Sequence, residues 1–154
     1  MHWLFHTHRN MALTILRVML GVVFFPHGAQ KTLGWYGGPG FAMTMYFFEQ
    51  QGIPTVFALL AIAAEFFGAL GLLIGFLTRV AAFGICVNMI VAIAMVNFRN
   101  GMFMNWTGKQ DGEGFEFHLL VIAIAAALML KGAGAFSVDR AIDARAHEGL
   151  HARR

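Results

Sequence analysis

The side chains in this sequence best suited to chemistry are ionisable groups set inside long apolar runs. Arg17, Gly21, Phe24, Gly28 and Lys31 recur at intervals of four and three, so they share one face of a helix, with His27 flanking it. Ala61, Glu65, Gly68, Leu72 and Gly75 make a second such face, which Arg79 continues. Both faces combine charge with glycine. Small residues let helix backbones approach closely, and a polar group beside them then meets a neighbouring helix instead of lipid. Glu65 can act as a buried acid or as a charge partner, and the sequence offers it three cations. At about 1.5 Å of rise per residue, Arg17 lies about 9 Å and Glu65 about 18 Å from the same helix-pair end, a gap a long arginine can nearly close. Lys31 or His27 can reach Glu65 from the other end. An Arg17–Glu65 pair would fix helix register without chemistry, whereas Lys31 with His27 can hold a quinone carbonyl or a small anion. Arg79 reads more simply as an anchor at the headgroups.

Further along, Glu113 and Glu116 stand one turn apart, where carboxylates at a helix start are favoured by the helix dipole. Glu116 and His118 point about 160° apart on an ideal helix, so they cannot face one point, and Glu116 is the one expected to face the bundle. No ligand spacing joins His27 and His118 to a carboxylate, so no metal site is expected. The sequence holds no phosphate-binding loop, dinucleotide fingerprint or nucleophile elbow, and no residue is assigned a catalytic role. Cys86 is the one cysteine, which excludes an internal disulfide and a CxxC relay. Chemistry here needs an external cofactor such as a quinone. A cavity lined by Phe24, Phe66, Phe67 and Phe83, with polar groups at its mouth, would suit a lipid-soluble ring.

The elements that must position these residues follow from composition. The 154 residues are 58% hydrophobic and only 12% charged, against about 25% charged for a typical soluble domain. A soluble fold this small cannot hide so much apolar surface; a bilayer removes the problem. The formal charge of +3 and pI near 9.5 come from basic residues that form no stripe with interleaved aromatics. They read as topology signals, and no nucleic acid is expected as a partner. The first ten residues lack a basic region followed by a small-residue cleavage site, so no cleaved signal peptide is expected. About 20 helical residues cross the hydrocarbon, and four runs approach that length, at residues 11–27, 54–77, 80–96 and 115–130. The reading is therefore all-α: an integral membrane bundle of about four transmembrane helices, forming one membrane domain over residues 1–154.

Only Thr78 and Arg79 separate the second and third runs, which predicts a tight hairpin there. With four spans, Arg9, Arg79, Lys131, Arg140, Arg145, Arg153 and Arg154 share one side, and Lys31, Arg99 and Lys109 the other. That asymmetry predicts N-in, C-in orientation, with residues 131–154 as a basic cytoplasmic tail. Residues 34–53 and 97–114 then face outward. The first of these outer loops breaks at GWYGGPG and continues from Phe41 as a short interfacial helix, while Trp35, Tyr36 and Trp106 suit an aromatic belt.

The assembled residues resemble the DoxX family of small bacterial membrane proteins. The likeness rests on the first span from Leu16-Arg17 through Pro26-His27-Gly28-Ala29-Gln30-Lys31. It continues with the stretch from Ala64-Glu65 through Gly68 and Gly75 to Thr78-Arg79, with Gly112-Glu113-Gly114-Phe115-Glu116-Phe117-His118, and with Gly132 to Asp139. The Glu-x-x-Gly stretch ending in Gly-x-x-Thr-Arg is its most specific part. The resemblance implies a four-helix membrane bundle in the bacterial inner membrane and an association with redox systems. Relatives in that family include a subunit of a thiosulfate:quinone oxidoreductase, and others are linked to membrane complexes that handle thiol and oxidative stress.

The leading expectation is a multi-pass inner-membrane subunit of a redox system, an oxidoreductase component with a quinone or sulfur-compound site in its outer half. Arg17, His27, Lys31, Glu65 and Glu116 are its candidate binding residues. The alternatives are a non-enzymatic anchor or scaffold of a larger complex, in which the same residues hold the bundle together, and a small-molecule or proton transporter using Arg17, Glu65 and Asn88. Expected partners are the lipid bilayer and redox proteins in or on the membrane; a homo-oligomer is left open.

Overall fold

Every long apolar run folds as a helix, and the ends are set by capping chemistry rather than by where hydrophobicity fades. The computed structural model describes residues 2–151, in which there are helices and no strand. In chain order they are α1 (His2–Phe5), α2 (Met11–Leu33), α3 (Gly40–Gln50), α4 (Thr55–Ile74), α5 (Thr78–Ala92), α6 (Glu116–Lys131) and α7 (Val138–His151). Asn10 starts α2, its side-chain oxygen accepting from the Ala12 N–H at 2.8 Å. The helix runs past the expected end at His27 to Gly34, which takes the left-handed conformation (φ 71°) open to glycine and stops it. His27 and Lys31 therefore both sit inside α2.

The hairpin between α4 and α5 differs from expectation. The turn occupies Gly75 to Leu77, and Thr78 and Arg79 are the first residues of α5. Gly75 closes α4 with φ 72°, and Leu77 is left-handed at φ 49°, which is costly for a residue with a Cβ. Asp139 compensates. Its carboxylate accepts from the N–H groups of Leu77 (2.7 Å) and Thr78 (2.9 Å), satisfying donors that a helix start leaves unpaired.

Three helices are long and apolar enough to cross a bilayer: Met11–Leu33, Thr55–Ile74 and Thr78–Asn100, the last being α5 continued through a π-helical stretch and a 3-10 turn. Helix α6 has 16 residues, which at about 1.5 Å each falls short of the hydrocarbon thickness. It packs on α5, and Leu20, Phe24, Leu72, Ile85, Val121, Ala125 and Leu128 from four helices close one shared core. Two glycines set how near α2 and α4 come. A Cβ on Gly28 would lie 2.6 Å from the Phe66 Cα, and one on Gly21 would lie 2.9 Å from the Leu73 Cγ. Helix α3 exposes Phe41, Met43, Tyr46 and Phe47 and buries Thr44, as suits a short interfacial helix. The segment expected as a basic tail contains α7; Arg153 and Arg154 lie outside the described residues.

Candidate functional site

The close contact at Gly28 decides which cation Glu65 meets. It brings the C-terminal part of α2 against the middle of α4, and Lys31, one turn beyond Gly28 on the same face, reaches back to the carboxylate. Its Nζ lies 2.6 Å from Oε1 and 2.5 Å from Oε2 of Glu65. The Glu65 side chain is 8% exposed and that of Lys31 32%. The pair is thus buried on the carboxylate side and open on the ammonium side. The Lys31 carbonyl accepts from the Thr44 hydroxyl at 3.2 Å, so α3 is tied to the residue carrying the charge.

Lys31 and Glu65 form part of the wall of a half-open groove of about 1220 Å³ between α4 and α5. Its other lining side chains are almost all apolar, with Phe57, Leu60, Phe67, Val80, Phe83 and Val87 among them. Such a groove admits an apolar ring and tail while presenting one charged pair and few other polar atoms, the usual composition of a small-molecule site. Two of the phenylalanines expected to line it, Phe67 and Phe83, do so. The other two do not: Phe24 is buried in the core and Phe66 stacks on Phe25 with ring centroids 6.0 Å apart. Residues one position apart on a helix point about 100° apart, which is why Phe66 and Phe67 part company. Asn88 also lines the groove, its side-chain N–H donating to the Ala61 carbonyl at 2.9 Å. Residue type alone had placed Asn88 only on a transport path; its spacing of four from Gly84, which packs on Ala64, was the available signal.

The remaining candidates lie elsewhere. Arg17 does not meet Glu65. Its guanidinium donates to backbone carbonyls: Nε to Ala133 at 2.9 Å, Nη1 to Leu72 and, at 2.9 Å, to Leu73, and Nη2 to Phe136 at 2.5 Å. The rigid fork of arginine suits several acceptors at once. Arg79 is buried rather than snorkelling, donating to the carbonyls of Met129, Leu130 and His6 and lying over the Trp3 ring. His27 is exposed with its ring against Phe24, away from the ion pair. Glu116 faces the loop between α5 and α6: its Oε1 accepts from the Met104 N–H at 3.0 Å and the Trp106 Nε1–H at 3.2 Å. Of the five candidate residues, the fold brings together Lys31 and Glu65.

Comparison with known proteins agrees with this architecture. The DoxX family model matches residues 12–98, which include both Lys31 and Glu65. The chain is 31% identical to the uncharacterized membrane protein Rv3486 of Mycobacterium tuberculosis, over 93% of this chain and 88% of that one. It is 30% identical to the putative oxidoreductase CatD of Bacillus subtilis, over 74% of this chain and 75% of that one. It is 28% identical to the inner membrane protein YqjF of Escherichia coli, over 87% of this chain and 94% of that one. No solved structure matches it.

Proposed function

The chain belongs to the DoxX family, and from that premise we propose that it is a membrane-embedded subunit of a redox system that binds a lipophilic quinone in the groove between α4 and α5. The observation that carries this reading is the Lys31–Glu65 pair on the wall of an otherwise apolar groove. A solvated ion pair would be unremarkable, but charge in a membrane span is costly and calls for a reason. The ammonium of Lys31 supplies a hydrogen-bond donor for a ring carbonyl. Glu65 holds a proton acceptor beside it, and Asn88 adds a polar edge. A bound quinone would supply the two-electron chemistry, with electrons exchanged with a partner redox protein. The name of the Bacillus relative, a putative oxidoreductase, supports this assignment.

In this reading α6 completes a four-helix bundle in the bacterial inner membrane, N-in and C-in, as one membrane domain over residues 1–154. The ends carrying Arg9, Lys131, Arg140 and Arg145 then face the cytoplasm.

The test is ligand binding to purified protein. Trp35 packs edge-on to Phe25, which stacks on Phe66 beside Glu65, so a soluble quinone analogue should quench tryptophan fluorescence saturably. Lys31→Ala should weaken that binding about tenfold, as expected for a lost hydrogen bond to a charged donor. Folded protein that shows no saturable quenching would favour a non-enzymatic anchor or scaffold.

A further inference from the structure

At the opposite end of α2 from Lys31, a second and smaller cleft of about 300 Å³ is lined by Arg9, Met11, Ala135, Phe136 and Arg140. We propose that this cleft binds the phosphate of an anionic phospholipid, with an acyl chain laid along the outer face of α2.

Three observations support the assignment. First, the two arginines are not neutralised. Among the described residues no ion pair joins either to a carboxylate. Among the described residues Arg9 donates to no partner, and the Arg140 guanidinium spends one N–H on the Ala135 carbonyl at 2.9 Å. Two acidic residues of α7 are engaged otherwise: Asp139 with the Leu77 and Thr78 N–H groups, and Asp143 3.4 Å from His6. Two arginines lining one small cleft, with no carboxylate paired to them among the described residues, make a site for an acceptor of several N–H donors, and phosphate oxygens fit that role. Second, the cleft floor is apolar rather than polar. Phe136 and Met11 are both exposed there. A soluble anion gains nothing from such a floor, whereas the glycerol and first methylenes of a lipid do. Third, the apolar surface continues. Met11, Ile15, Met19 and Val22 are all exposed and recur at intervals of four, four and three, a stripe that runs from the cleft along α2 into the bilayer. Basic pockets beside transmembrane helices are the usual seat of anionic headgroups. The cleft is remote from the groove and does not depend on what the groove binds.

The experiment is native mass spectrometry of the protein released from nanodiscs of equal phosphatidylglycerol and phosphatidylcholine. The expected result is retained phosphatidylglycerol in preference to phosphatidylcholine. That preference should fall about fivefold in Arg9→Gln and about thirtyfold in Arg9→Gln with Arg140→Gln, following a contribution of about 1 kcal/mol per arginine. Because Arg140 also holds the Ala135 carbonyl, the Arg9→Gln variant alone decides if the double variant unfolds. Equal retention of the two lipids, or an unchanged preference in folded Arg9→Gln, would overturn the proposal. So would displacement of the lipid by millimolar inorganic phosphate, which would make the cleft a site for a free anion.

Discussion

Arg17 and Lys31 lie on the same face of one helix, both cations in an apolar chain, and the fold uses them in opposite ways. Arg17 is 2% exposed, with its N–H groups directed at carbonyls from α4 and from the segment after α6. It ties three parts of the chain and spends four of its five N–H donors on those carbonyls. Lys31 is 32% exposed on its side chain, faces a carboxylate and borders an open groove. A cation held by backbone carbonyls is a structural tie; one held by a carboxylate at a cavity wall keeps donors and a proton acceptor available. Charge and helix face are shared by both residues, so partners and exposure separate the roles.

This contrast can be broken by substitution. The largest effect is expected at the tie. Arg17→Met removes every one of those bonds and leaves the Ala133 and Leu72 carbonyls buried without that donor, so thermal unfolding in detergent should show a loss of about 3–4 kcal/mol. Quinone-analogue affinity of the molecules that remain folded should be unchanged. Asp139→Ala should follow at about 2–3 kcal/mol, because the N–H groups of Leu77 and Thr78 lose their shared acceptor and the left-handed Leu77 loses its support. Gly28→Ala should cost about 1–3 kcal/mol, since the new methyl must push α2 off α4. It should also weaken analogue binding, because that contact is what delivers Lys31 to Glu65. Both effects in one variant would connect the packing to the site; a stability loss with unchanged binding would disconnect them. The smallest stability effect is expected at the site itself. Glu65→Gln should stay within about 1–2 kcal/mol of the parent, well below a fully buried pair, because Lys31 is part-exposed in the last turn of α2 and can turn away from the apolar groove. It should nonetheless lose most binding.

The sequence made some of this legible and hid the rest for physical reasons. The shared faces of α2 and α4 are visible because a 3.6-residue period shows in residue types, and Gly21 and Gly28 do set the helix approach. The partner of Arg17 is not visible. Its acceptors are main-chain carbonyls, which every residue carries, and Ala133 and Phe136 lie more than 100 positions away in the chain. Comparing depths along ideal helices left Arg17 and Lys31 as near-equal claimants for Glu65, and the carbonyls at the end of α4 and in the segment beyond α6 separate them. Glu116 was misdirected for a related reason. The loop between α5 and α6 folds back so that the N–H groups of Met104 and Trp106 reach its carboxylate, and no periodic pattern encodes a loop's return. The shift of the hairpin turn to Gly75–Leu77 has the same origin, since it depends on Asp139 arriving from another part of the chain.

The most direct measurement is site mapping with a photoreactive quinone analogue on the folded protein, read by mass spectrometry with and without excess unlabelled quinone. The expected result is competed labelling on the groove segments of α4 and α5, around Leu60–Phe67 and Phe83–Asn88, that survives Arg17→Met and is strongly reduced in Lys31→Met. Competed labelling around Arg17, or labelling of the groove that persists undiminished in a folded Lys31→Met protein, would contradict the assignment of the two cations.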